Sequence, residues 1–258
     1  MTTDIESELQ RAINADEFIL YYQPQYNLTT SSFDGLEALI RWQHPKRGLV
    51  LPSEFIGIAE QSDIILQIGD WALKTACLQF KAWQDKSLAP LRIAVNVSGR
   101  QFTQKNFVQS VIDFLKEIDL SPECLELELS ENMIINADDQ GVIKMIQELD
   151  QAGIFIALDD FGTGHSNPEY LKYIPVDRIK IAKSHIDNIH QDNDEARLVK
   201  SLIGFASELN LPVVAEGVES LVQLQMLLSR ERMEVQGNYF SEPLPAEQIE
   251  IFLTANRK

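Results

Sequence analysis

The chain has 258 residues, 45% of them hydrophobic and 24% charged, a globular composition long enough to bury a large core. Its 22 Lys and Arg stand against 39 Asp and Glu, a net charge of −17, so duplex nucleic acid is not an expected partner. Two cysteines, Cys77 and Cys124, are too few for a disulfide framework. No apolar run approaches the roughly 18 residues of a membrane span and no leader peptide is visible, so a cytoplasmic chain without a membrane segment is expected.

In chain order, β-rich runs fall at Phe18–Gln23, Gly35–Ile40, Arg92–Val97, Cys124–Leu129, Phe155–Asp160, Arg178–Lys183, Pro212–Glu216 and Met233–Gln236. Helical periodicity fills most of the gaps. Leu73, Cys77 and Phe80 share one face, as do Val142, Met145, Ile146 and Leu149, and then Leu198, Val199, Leu202, Ile203, Ala206 and Leu209. Such alternation predicts one domain over residues 1–258, a TIM-like (β/α)8 barrel. The first link is different. Between Gln23 and Gly35 lie turn residues such as Asn27, Thr29, Ser31 and Asp34, without helical periodicity. A parallel crossover needs a dozen or more residues, whereas an antiparallel pair needs only a turn. The barrel is therefore expected to be a variant whose first strand is antiparallel.

Catalytic groups of such barrels sit where strands end. Here those ends carry Glu37, Arg41, Asn96, Glu128, Glu131, Asp159, Asp160, Lys180, Glu216 and Gln236. Strand alternation puts Asn96 on the face of Ala94 and Ser98, and Glu128 on the face of Glu126. Inward carboxylates are costly unless paired or bound to cations, and carboxylates with an Asn amide oxygen suit Mg²⁺ or Mn²⁺ rather than zinc. The adjacent Asp159 and Asp160 can project to different sides, so that one bridges two ions and the other binds only the second, an arrangement used for in-line phosphoryl displacement.

Several ordered motifs make the chain similar to the EAL-domain cyclic di-GMP phosphodiesterases. They are Y-Q-P-Q (Tyr22–Gln25), G-L-E-A-L-I-R-W (Gly35–Trp42), V-N-V-S (Val95–Ser98), E-L-S-E (Glu128–Glu131), D-D-F-G-T-G (Asp159–Gly164), P-V-D-R-I-K-I (Pro175–Ile181), A-E-G-V-E (Ala215–Glu219) and Q-G-N-Y-F-S (Gln236–Ser241). The resemblance implies hydrolysis of cyclic di-GMP to pGpG with two Mg²⁺ or Mn²⁺ ions. It implies that Glu37, Asn96, Glu128 and Asp159 hold the first ion, and that Asp159, Asp160 and Glu216 hold the second. By the same resemblance Lys180 and Gln236 hold the attacking water, with Glu216 also catalytic, and Glu131 braces the loop after the fifth strand. Arg41, Gln23 and Asp177 would contact substrate. Members of the family also pair as dimers, so a homodimer is an expectation.

Three positions depart from the family pattern. Ala182 stands where K-I-D is usual, His165 and Asn167-Pro168 alter the loop after D-D-F-G-T-G, and Glu242 precedes Pro243 where a basic residue is common. The departures at Ala182 and around His165 keep open an alternative, a catalytically weak or inactive cyclic di-GMP receptor. The retained Lys180 and Glu216 argue for the enzyme.

Overall fold

The computed structural model describes residues 2–88, 90–135, 140–164, 168–228 and 232–256. Ten strands form one sheet: β1 (Phe18–Asn27), β2 (Ser32–His44), β3 (Gly48–Val50), β4 (Arg92–Val97), β5 (Leu125–Ser130), β6 (Phe155–Phe161), β7 (Arg178–Ile181), β8 (Val213–Ala215), β9 (Met233–Gln236) and β10 (Leu244–Pro245). The order is β10-β1-β9-β8-β7-β6-β5-β4-β2-β3, and a further β1–β2 pairing closes β1, β2 and β4 to β9 into an eight-stranded barrel. β1 runs antiparallel to both neighbours, β2 and β9, while pairings from β2–β4 round to β8–β9 are parallel.

The antiparallel first strand has the expected cause, but its hairpin is tighter than the sequence suggests. Both strands continue into the polar segment, and the turn shrinks to Leu28–Ser31. Asn27 Oδ1 accepts from the backbone N–H groups of Thr29 and Thr30 at 2.9 and 3.0 Å, an Asx-type closure, and Ser31 takes φ +55. Elsewhere strand limits move by a few residues: Cys124 ends a 3-10 turn, and Lys183 starts a helix after β7.

The run L-E-L-E-L of β5 shows how sequence makes the layers. Leu125, Leu127 and Leu129 are buried in the main apolar cluster, together with Leu73, Cys77, Phe80 and Trp83 of helix Ile64–Asp85. Glu126 and Glu128 alternate to the opposite face, inside the barrel. Burying one such leucine contributes roughly 1.5–3 kcal/mol, and strand-to-helix packing supplies this all round the barrel. Val142, Ile146 and Leu149 of helix Gln140–Gln151 join that cluster, as do Val199, Ile203 and Ala206 of helix Asn193–Glu208, whereas Leu198 stays 37% exposed. A second cluster of Leu9, Phe18, Trp42, Phe55 and Ile68 packs helix Thr2–Asn14 against the far end of β2. Trp42, Trp83 and Cys77 are core residues, and His44 Nδ1 caps a turn by accepting from the Lys46 and Arg47 amides.

The barrel interior is polar where most such barrels stack branched apolar side chains. A lower layer holds Arg178, Glu126, Glu234 and Gln25; an upper layer, toward the ends of the parallel strands, holds Lys180, Glu128, Glu37 and Gln236, all buried. No helix of the described residues is long and apolar enough to cross a membrane.

Candidate active site

Alternation along each strand aims one functional side chain at the same point. Glu37 comes from β2, Asn96 from β4, Glu128 from β5, Asp159 and Asp160 from the end of β6, and Lys180 from β7. Glu216 follows β8, its N–H still donating to Ile181 O at 3.1 Å, and Gln236 closes β9. Lys180 is the centre. Its Nζ lies 2.6 Å from Glu128 Oε1, 2.8 Å from Glu216 Oε1, 3.2 Å from Glu37 Oε2 and 3.6 Å from Asp159 Oδ1.

Hydrogen bonds orient the periphery. Asn96 Nδ2 donates to Glu37 Oε1 at 2.7 Å, and Gln236 Nε2 donates to Glu37 Oε2 at 2.5 Å and to Gln23 Oε1 at 3.1 Å. Gln23 in turn donates to the Ser241 carbonyl at 3.1 Å. Asp160 departs from the strand through φ +54, so the adjacent acids diverge, and its N–H returns to Asp159 Oδ1 at 2.9 Å. A left-handed conformation at a non-glycine residue costs free energy, which the surrounding fold supplies.

One ammonium cannot neutralise four acids. Burial pushes the Glu216 carboxyl up to about 8, with Lys180 opposing and Asp159 and Glu37 adding to the rise. Burial likewise raises Asp159, against Lys180 and with help from Glu37 and Asp160. Glu128 is raised well above the usual range by burial and Glu37, against which Lys180 stands 2.6 Å from its Oε1. Glu37 goes the other way: burial raises it, but Lys180 and the donors around it outweigh that and hold it low. For Lys180 burial favours the neutral amine, yet the ring of acids prevails and raises it well above an ordinary lysine.

This excess of negative charge fits divalent cations. Asp159, Asp160 and Glu216 each offer an oxygen within 4.8 Å of the others, an all-oxygen set of the kind hard cations take. Glu128, buried beside Lys180, and Glu37 with Asn96 could hold a second cation beside them through Asp159. A cavity of about 610 Å³ opens over these acids, walled opposite them by Ile56, Gly57, Ile65 and Ile68. It is the size of a small-molecule site, lined by the acids and by a segment, 52–69, that is mostly apolar but also contributes Ser53 and Glu60.

Glu131, at the end of β5, accepts from the Gly162 and Gly164 amides at 3.1 and 3.2 Å and from the Tyr170 hydroxyl at 3.1 Å, tying the segment after β6. Gly162 has φ +94, and a Cβ there would lie 2.7 Å from Leu202. His165 and Asn167 lie outside the described residues. Arg41 is half-buried; its Nη1 donates to Ile40 O at 2.8 Å, its guanidinium lies 5.6 Å from the Tyr21 ring, and the Glu37 charge acts on it. Asp177 corrects the expectation of a substrate contact. It precedes β7 at the opposite end of the barrel, where its Oδ2 accepts from Ile156 N at 2.8 Å near the start of β6. Ala182, where the family has a carboxylate, is the N-cap of helix Lys183–Asp187, buried and without a side-chain cap.

The reading of strand ends missed the apolar wall at Pro52–Gly69, which carries no strand-end acid. It also missed Gln101, whose Oε1 is buried in that wall without a partner. A glutamine in R-Q-F just after V-N-V-S was the available signal.

A mixed barrel carries at its mouth a buried lysine ringed by acids, with three carboxylates close enough to share a cation. The family model for the EAL domain matches residues 6–243, and the chain belongs to that family. It is 40% identical over 248 residues to the signaling protein YkoW of Bacillus subtilis, covering 96% of this chain and 31% of that protein. It is 37% identical over 242 residues to the bifunctional diguanylate cyclase/cyclic di-GMP phosphodiesterase MucR of Pseudomonas aeruginosa, covering 94% of this chain and 35% of MucR. The chain thus spans about a third of the length of these relatives. The solved PaMucR phosphodiesterase, a c-di-GMP complex, superposes with TM-score 0.91 at 36% identity, covering 95% of this chain and 99% of that one.

Proposed function

We propose that this domain hydrolyses one phosphodiester bond of cyclic di-GMP to give pGpG, using two Mg²⁺ or Mn²⁺ ions held by Glu37, Asn96, Glu128, Asp159, Asp160 and Glu216. The observation that carries the reading is Lys180 Nζ within 3.6 Å of four acids, Glu37, Glu128, Asp159 and Glu216, beneath a cavity with a largely apolar wall. Divalent ions there would acidify a bound water and stabilise the leaving alkoxide. Lys180 stays protonated among the acids, so it donates to the attacking oxygen and offsets the charge gathering on the phosphoryl group. Gln236 fixes Glu37 with one N–H and Gln23 with the other, holding both at the cavity floor. The opposite wall supplies apolar contact for purine bases while the acids keep the phosphate edge polar.

The test is purified protein with cyclic di-GMP and Mn²⁺ or Mg²⁺, following pGpG. Turnover that stops with chelator and returns with metal is the expected result. Tight binding without turnover would replace the enzyme with a receptor, the second reading that Ala182 favours because the family's carboxylate is missing there.

A further inference from the structure

The two polar layers of the barrel interior are joined by one hydrogen-bonded chain. Arg178 Nη2 donates to Gln25 Oε1 at 2.6 Å, Gln25 Nε2 donates to Gln236 Oε1 at 3.0 Å, and Gln236 Nε2 donates to Glu37 Oε2 at 2.5 Å. A carboxamide can ordinarily turn over and exchange its oxygen for its nitrogen. Here it cannot. A guanidinium only donates, so the Gln25 oxygen must face Arg178 and its NH₂ must face Gln236. The Gln236 oxygen is then occupied, and both of its hydrogens are left for Glu37 and Gln23.

Arg178 is itself fixed, by Glu126 at 2.8 Å and Glu234 at 2.7 Å, and the 3% exposure of its residue keeps water from competing. Gln25 has room because the residue paired with it across β1–β2 is Gly35; a Cβ there would sit 2.5 Å from Gln25 Oε1. We propose that Gln25 is a positioning residue for the active site. It transmits the donor-only character of Arg178 across the barrel and sets which face of the Gln236 carboxamide meets Glu37. Its kinetic consequence rests on the phosphodiesterase reading above.

Two near-isosteric variants test it, in the whole chain. Gln25→Glu still accepts from Arg178 but has no hydrogen for Gln236, so two oxygens meet where one donated. Gln25→Met removes the donor without adding an acceptor. With cyclic di-GMP and Mn²⁺, kcat should fall about 100-fold in Gln25→Glu and about tenfold in Gln25→Met, with KM within about threefold of the starting value. Gly35→Ala, which displaces Gln25, should match the methionine variant. A role in packing alone gives the reverse order, because glutamate adds an ion pair with Arg178.

The second readout needs no turnover: the side-chain amide signals of Gln236 in metal-free protein, assigned by their loss in Gln236→Met. They should move strongly in Gln25→Glu and less in Gln25→Met. A Gln25→Glu enzyme with kcat within twofold of the parent, or unmoved Gln236 signals, overturns the proposal. If the parent chain shows no turnover, the phosphodiesterase reading falls, and the amide signals alone decide whether the positioning role stands.

Discussion

Glu128 lies 2.6 Å from Lys180 at full burial, and no other donor reaches either of its oxygens. Lys180 is the nearest cation to Glu128, while burial and Glu37 still hold that carboxyl well above the usual range. Replacing Lys180 by Met removes the cation of the upper layer, and removal of one partner of a buried pair costs about 3–5 kcal/mol. We expect a loss of that size at pH 8 in urea unfolding of metal-free protein, with turnover down at least ~100-fold. A loss under about 1 kcal/mol would show that the acids relax without their lysine.

The raised acids give a definite pH dependence. Glu216, moved from 4.5 to about 8, keeps its proton in the folded chain over a range where the unfolded chain has released it. Its contribution is full below the unfolded value and is lost as pH rises through the folded one. Asp159 and Glu128, also raised, act in the same direction; Glu37, held low, acts oppositely and loses its contribution in acid. Without divalent ions, Tm should fall between about pH 5 and pH 8, and millimolar Mn²⁺ should remove most of that fall. A flat metal-free profile would contradict the shifts.

Glu131 holds two loop amides and a hydroxyl, and burial together with the Glu131 charge pushes the Tyr170 hydroxyl up. Glu131→Gln retains shape but weakens bonds to a charged acceptor, each worth about 1.5–3 kcal/mol. Turnover and Mn²⁺ affinity should drop together by roughly tenfold or more. Equal activity with a lower Tm would make Glu131 purely a stabiliser.

Ala182 has φ −53 and ψ 141, the extended backbone of an N-cap, and no cap is made. Ala182→Asp should add about 1 kcal/mol, seen as a Tm rise of about 2–4 °C. It should also raise turnover, since it restores the family's carboxylate beside β7. Unchanged Tm in differential scanning calorimetry would deny the capping role.

Asp177 belongs to the barrel's other end. Asp177→Asn should leave KM for cyclic di-GMP within about twofold while costing ~1 kcal/mol from the weakened bond to Ile156 N. A rise in KM without a change in stability would return Asp177 to the substrate.

Much of this was legible in the residues because alternation is a strict rule. L-E-L-E-L in β5 already says that leucines face helices and glutamates face inward, and the short polar link after Gln23 already requires a hairpin. Asp177 misled because motif proximity places a residue near Lys180 in sequence without saying which end of β7 it occupies. The Arg178–Gln25–Gln236 chain was hidden for another reason. It joins β7, β1 and β9 through side-chain reach across the barrel, a property of three-dimensional closure and not of local pattern. The short β3 and β10, and helix Thr2–Asn14, lacked the polar strand ends that guided the reading.

The antiparallel β1 is wedged between β2 and β9, so an early segment and a late one must meet before the barrel shuts. Gln25 and Gln236, 211 residues apart, make that meeting. A ribosome that has passed β8 has already made Lys180 and every acid around it, yet not the strand that completes the ring. Until β9 is made, the strand that pairs with both β8 and β1 is missing, and the barrel cannot close around the lysine and its acids.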